Sequence, residues 1–282
     1  MEKIDFKLTI NAPKEKVWYS LWDDENYKNW VSVFYEGSYA LSSWEKGHKI
    51  FFVAPNGDGM SSIVEENKPF ETMSFKHISG VKNFEEQPID EETKLWSGCI
   101  ERYDLSENNN QTTLLVTLDI SESHLEYFNE TFPKALQKVK EIAENPEVKS
   151  ITVRTLVDAS IEKVWDYWTN PDHIVKWNNA SDDWHTPFAE NDLKVGGKFK
   201  STMAAKDGSM SFDFEGTYTE IAQHKKIVYN IADGRKVSIS FDVMDGKVIV
   251  TESFEPENEN SLDMQRGGWQ AILNNFKAYV QK

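Results

Sequence analysis

The sequence predicts an α+β chain made of two tandem domains, each a curved antiparallel sheet wrapped around a long C-terminal helix. Three observations carry this. First, residues 7–30 (KLTINAPKEKVWYSLWDDENYKNW) and 154–177 (RTLVDASIEKVWDYWTNPDHIVKW) align without a gap at a separation of 147 residues. Glu15-Lys16-Val17-Trp18 recurs as Glu162-Lys163-Val164-Trp165, and Trp30 recurs in register as Trp177. Second, each copy continues through short alternating segments divided by turn residues. Third, each copy closes on a long stretch with apolar residues at helical spacing. The domains are placed at 1–145 and 148–282, joined near Glu144-Asn145-Pro146-Glu147, where Asn-Pro stops a helix and a strand begins at Val148.

In chain order, Ile4, Phe6, Leu8 and Ile10 alternate as an opening strand, matched by Ile151, Val153, Leu156 and Val157 in the second copy. A short helix follows, with Pro13 in its first turn and Val17, Trp18 and Leu21 on its apolar side. Asn170-Pro171-Asp172 starts a second short helix ending near Trp177. The turn signals Asn56-Gly57-Asp58-Gly59, Asn108-Asn109-Asn110, Asp207-Gly208, Asp233-Gly234 and Asp245-Gly246 then punctuate an antiparallel meander. A strand-like run from Leu95 to Tyr103 contains Cys99. Leu125, Phe128, Phe132, Leu136, Val139 and Ile142 form the first closing helix, with Pro133 expected to kink it or mark a restart. Leu262, Gln265, Trp269, Ile272, Leu273, Phe276 and Tyr279 form the second.

Composition narrows the function classes. Aromatic residues make up 13% of the chain, with ten Trp and sixteen Phe, which fill cores or line an apolar pocket. The net charge of −16, with no basic stripe, argues against nucleic acid and anionic membranes as partners. One cysteine excludes an internal disulfide and suits a reducing, cytoplasmic setting. No segment reads as a signal peptide or a membrane span, so no membrane insertion is expected.

The run Asp158-Ala159-Ser160-Ile161-Glu162-Lys163-Val164-Trp165, then Asn170-Pro171 and Trp177, resembles the SRPBCC (START, or birch-pollen-allergen-like) superfamily. Val195-Gly196-Gly197-Lys198-Phe199 and the ending Gly268-Trp269-Gln270-Ala271-Ile272-Leu273-Asn274-Asn275-Phe276 resemble its bacterial branch named for the activator of the heat-shock protein 90 ATPase. The first copy is more divergent: His48 replaces the second Gly, and an acidic insertion near 82–94 occupies the place of a tight turn. The resemblance implies a helix-grip fold with a cavity between sheet and helix. Members bind lipids, hormones or other hydrophobic molecules, some cyclise polyketides, and the namesake stimulates a chaperone.

The expected function is therefore non-enzymatic binding of a small hydrophobic or lipid-like ligand, with no cofactor. A chaperone-cofactor or other protein-interaction role is the second reading, and a cyclase- or hydrolase-like enzyme the third. Candidate cavity residues are Trp177, Phe199, Met203, Phe212, Phe214, Trp269, Leu273 and Phe276 in the second copy. In the first they are Trp30, Phe51, Met60, Phe75, Phe132 and Leu136. No metal or phosphate motif occurs. An enzyme would need Asp213, Glu215 or His185 inside the cavity; alternation predicts Asp213 and Glu215 on the face opposite Phe212 and Phe214.

Overall fold

The computed structural model describes residues 1–145 and 147–282; Pro146, assigned above to the join, lies outside the described residues. Contacts divide the chain into two compact units, Met1–Glu147 and Val148–Lys282.

The first unit begins with β1 (Glu2–Ile10), whose inward side chains alternate as the sequence pattern requires. Helices α1 (Lys14–Trp22) and α2 (Asp24–Val31) follow, with Pro13 capping α1 from just outside. The sheet continues through β2 (Tyr39–Leu41), β3 (Lys49–Val53), β4 (Gly59–Lys68), β5 (Thr72–Lys82), β6 (Glu85–Glu86), β7 (Ile100–Asn108) and β8 (Gln111–Ile120). Its order is β1-β8-β7-β5-β4-β3-β2, antiparallel throughout, with β6 paired to β5. Asn109 and Asn110 both take positive φ, the conformation a two-residue hairpin turn needs. Helix α3 (Leu125–Glu144) closes the unit and buries Phe132, Ala135, Leu136, Val139 and Ala143.

Of the two alternatives for Pro133 the restart falls away, and one expected strand is shortened. Helix α3 runs through Pro133 without a restart, because Pro133 lies on the exposed side, where water can satisfy the carbonyl it leaves unpaired. Residues Thr93–Leu95 form a turn of 3-10 helix and the strand starts only at Ile100, so Leu95–Cys99 is not strand. Gly98, with φ near +92°, marks the change of direction.

The second unit repeats the plan. It contains β9 (Ile151–Val157), α4 (Ile161–Thr169), α5 (Pro171–Trp177), β10 (Trp184–Asn191), β11 (Lys198–Ala205), β12 (Ser211–Ala222), β13 (Lys226–Ile231), β14 (Lys236–Met244), β15 (Lys247–Phe254) and α6 (Leu262–Val280). The seven strands form one antiparallel sheet in the order β10-β11-β12-β13-β14-β15-β9. Its first strand begins three residues later than the expected Val148, at Ile151. Asn170 caps α5, its side chain accepting from the Asp172 N–H at 3.1 Å, with Pro171 at the first helical position. Ser261 caps α6 through the Met264 N–H at 3.2 Å.

The acidic insertion of the first unit turns out to be a cover for the outer face of its sheet. Glu86 on β6 reaches back over β3, β4 and β5: it accepts from the Ser61 hydroxyl at 2.8 Å and the Ser79 hydroxyl at 2.9 Å, and pairs with Lys49 at 2.6 Å. Desolvation works against its ionisation, yet Lys49 and the two hydroxyls hold the carboxyl below its ordinary value. Ser61 and Ser79 are buried, so losing their shared acceptor is costly. Glu86→Ala is expected to destabilise the first unit by about 1–3 kcal/mol in urea unfolding. An unchanged midpoint would show that the insertion only lies loosely on the sheet.

Candidate functional site

The period-2 geometry of the second sheet decides which side chains reach its interior. On β11 and β12 the cross-strand pairs Met203–Phe212 and Ser201–Phe214 face inward, while Thr202–Asp213 and Lys200–Glu215 face out. Lys200 Nζ lies 2.7 Å from the Asp213 carboxylate, and the Thr202 hydroxyl donates to the same group at 2.7 Å. Gly216 continues the inner row; a Cβ there would stand 2.8 Å from the Phe199 ring, so the missing side chain lets that ring lie across β12.

Between this face and α6 lies a cavity of about 540 Å³. Its aromatic wall is formed by Trp168 and Trp177 from the short helices, Trp184 from β10, Phe199, Phe212 and Phe214 from the sheet, and Trp269 from α6. Met203, Ile227 and Ile272 add aliphatic surface. Phe212 is 48% exposed and Met264 is 65% exposed although both line the cavity, which places its mouth between the β11–β12 hairpin and the start of α6. Gln265 fixes the loop at that mouth. It accepts from the Glu257 N–H at 2.9 Å and donates to the carbonyls of Glu257 and Asn260 at 3.0 and 2.9 Å.

Of the second-copy candidates, Trp177, Phe199, Met203, Phe212, Phe214 and Trp269 line the cavity. Leu273 and Phe276 do not; they are fully buried behind it, Phe276 packing edge-on against Trp168 and Trp177 at 4.8 and 4.9 Å. They lie one and two turns further along α6 than Trp269, beyond the cavity wall. Asp213, Glu215 and His185 are exposed, so none of the three polar candidates enters the lumen.

The first unit fills its interior differently. Trp22 packs against Trp44, Phe75 and Tyr103 at 5.2, 5.7 and 5.0 Å, and Tyr27, Trp30 and Phe52 extend the same network. In the repeat, Trp22 and Trp44 stand where the second copy has Thr169 and Leu193. Trp30, Phe75, Phe132 and Leu136 are members of this packed core. Met60 is half-buried on β4 opposite Phe52. Phe51 is not an interior residue: it pairs with Ser61 on the outer face, beneath Lys49 and the insertion. The repeat shows why, since Ile50 corresponds to Phe199 and Phe51 to the outward Lys200.

Polar groups also occur inside the first unit. Ser62 Oγ lies 2.8 Å from His77 Nδ1, His77 Nε2 lies 3.5 Å from Glu101, and the Tyr103 hydroxyl donates to Glu101. The order is that of a proton relay, but Ser62 is 0% exposed, so its hydroxyl meets no solvent-borne substrate. Mutual satisfaction of buried polar groups accounts for the chain. Among the described residues no cluster of three or more His, Cys, Asp or Glu is placed to hold a metal. No helix among them is long and apolar enough to cross a membrane.

One residue of the second cavity was not foreseen. Glu252 on β15 is 5% exposed and lines the lumen, flanked in the sheet by Ile239 and Val153. Val248, Val250 and Phe254 lie in phase with it on the inner face, so the pattern 248–254 carried the signal. It makes no hydrogen bond or ion pair with any described residue, and burial alone lifts its carboxyl to about 8. In the first unit the same register position, opposite Phe6 rather than Val153, is Val116. The nearby Tyr229 phenol is pushed up, first by burial and then by the Glu252 charge.

The fold defines a helix-grip protein whose second domain holds a cavity between sheet and closing helix. Comparison agrees. A profile described as activator of Hsp90 ATPase homolog 1-like protein matches residues 158–281. The AHSA1-like protein from Aeromonas hydrophila is 44% identical over 46% of this chain and 91% of its own, with a TM-score of 0.45. Chr148 from Cytophaga hutchinsonii is 55% identical over 46% of this chain and 90% of its own, with a TM-score of 0.43. DynU16, from the dynemicin biosynthetic locus, covers 99% of both chains at 12% identity and a TM-score of 0.37. No curated protein matches. The chain belongs to the AHSA1-like family, through its second domain.

The Glu252 carboxyl gives stability a defined pH dependence. Its folded pKa of about 8 lies above the unfolded value, so the folded state keeps the extra proton and stability falls as pH rises from about 4.5 through 8. At about 1.4 kcal/mol per unit, the loss approaches roughly 5 kcal/mol above pH 8. Glu252→Gln removes that loss: at pH 9 the second domain is expected to melt at least about 5 °C above wild type, with the two proteins converging at pH 5. Equal melting of variant and wild type at pH 9 would contradict the burial of an unpaired carboxyl.

Proposed function

We propose that the second domain binds a small hydrophobic or lipid-like molecule between its sheet and α6, and does so without converting it. The cavity carries this reading. Its volume falls within the roughly 300–1,000 Å³ of small-molecule sites, and its wall is mainly aromatic with a few convergent polar groups. Glu252 supports binding over turnover, because it hydrogen-bonds to no nucleophile or second titratable group among the described residues. The first domain, with an aromatic core in the corresponding place, serves in this reading as a structural companion.

The family description favours a second reading, a chaperone cofactor, and the net charge of −16 is compatible with docking on a basic partner. Stimulation of chaperone ATP turnover by this chain, retained in a variant with a blocked cavity, would select that role.

Titration with the neutral fluorophore N-phenyl-1-naphthylamine tests the cavity. Saturable binding with one site per chain is expected. Ser201→Phe, which places a ring in the lumen from β11, should weaken it by about tenfold or more. Binding that is unchanged in Ser201→Phe would locate the probe elsewhere.

A further inference from the structure

The second-domain cavity contains a polar group that its own wall leaves without a partner. Glu252 is buried between Ile239 and Val153, reaches the lumen, and bonds to no described residue. A buried carboxyl in that state is costly, and a ligand bringing the complementary group recovers the cost on binding.

Its surroundings restrict what that group is. Tyr229, whose phenol feels the Glu252 charge, lines the cavity with it, as do Phe199, Phe214 and Trp269, the last with one face covered by Phe254 at 4.0 Å. Aromatic faces attract cations and offer nothing comparable to anions or neutral heads. Of the other charged groups in the lining, Glu190 is exposed and the Glu257 carboxylate accepts from the Asn260 N–H and side-chain amide at 3.0 and 2.8 Å, so Glu252 is the acidic group left to a ligand. Arg235 is already committed, with Nε 2.8 Å from Asp233 and Nη1 donating to the Glu255 carbonyl at 3.1 Å. A carboxylate or phosphate head would find no free counter-charge there, whereas an ammonium can displace the Glu252 proton and pair with the carboxylate, helped at long range by the net charge of −16.

We propose that this cavity takes an amphipathic ligand with an ammonium head, Glu252 serving as its counter-ion and the aromatic wall holding its apolar body. The proposal rests on reading the cavity as a hydrophobic-ligand site and adds the charge of the head group. A neutral hydroxyl or carbonyl head is the competing occupant, since a protonated carboxyl can donate to it; the aromatic rings decide for the cation. Burial keeps Glu252 protonated at neutral pH, so admitting an ammonium expels one proton. The other titratable groups facing the lumen are Glu190, Tyr218, Tyr229, Arg235 and Glu257, while α6 presents uncharged Gln265 and Trp269.

Calorimetric titration of the full chain with three probes sharing one naphthalene body tests this: 2-(1-naphthyl)ethylamine, 2-(1-naphthyl)ethanol and 1-naphthylacetate. Near pH 7 the amine is expected to bind about tenfold tighter than the alcohol, with the acetate weakest. The amine should release about one proton, read from buffers of different ionisation enthalpy. Glu252→Gln should lower amine affinity about tenfold, abolish proton release and leave alcohol binding within about twofold, which also shows that the variant keeps its cavity. Alcohol binding as tight as amine binding in the wild type overturns the ammonium assignment and leaves the hydrophobic-ligand reading standing. An amine preference that survives Glu252→Gln overturns the counter-ion role. Failure of all three probes to bind removes the hydrophobic-ligand reading itself, and this inference with it.

Discussion

In each domain one long helix has to cover the inner face of a sheet much wider than itself. A helix with its side chains is about 10 Å across, while seven strands at roughly 4.8 Å spacing span more than 30 Å before curvature. Curling the sheet and inserting the short helices recover part of the difference. What remains must be filled by large side chains or left as space, and the two halves of this chain take different routes.

The first domain sets large aromatic side chains in that space. Trp22, Trp44, Phe75 and Tyr103 meet at edge and tilted angles, with Tyr27 and Trp30 continuing the network beneath α2. Its insertion then covers the opposite face through Glu86, Ser61 and Ser79. The second domain keeps the scaffold but has Thr169 and Leu193 at the positions of Trp22 and Trp44, and a cavity remains under α6. Val116 and Glu252 sharing one register position sharpen the contrast: a methyl-bearing side chain suits a packed interior, and a carboxyl has meaning only beside a lumen.

Much of this was legible in the sequence. The repeat of Glu-Lys-Val-Trp, the Asn-Gly and Asp-Gly turns and the helical spacing of the closing segments carry the fold, because each reports a local constraint. Alternation also sorted β12, putting Phe212 and Phe214 inside and Asp213 and Glu215 outside. Phe51 went astray because hydrophobicity was read without phase; Ile50 holds the inward place and Phe51 is buried by an insertion whose position no local rule predicts. Leu273 and Phe276 share α6 with Trp269, yet helical spacing does not say where along the helix packing gives way to space. Glu252 was in phase with Val248, Val250 and Phe254, but a charged residue inside an apolar row is ordinarily read as the row's end.

That carboxyl stands unpaired in a mainly apolar lumen. Following the Glu252 side-chain carbon by ¹³C NMR through a pH titration of the ligand-free protein measures it directly. The structure predicts a midpoint near 8. A midpoint in the ordinary carboxylate range, about 4–4.5, would mean that the group is solvated or paired, and would contradict the account.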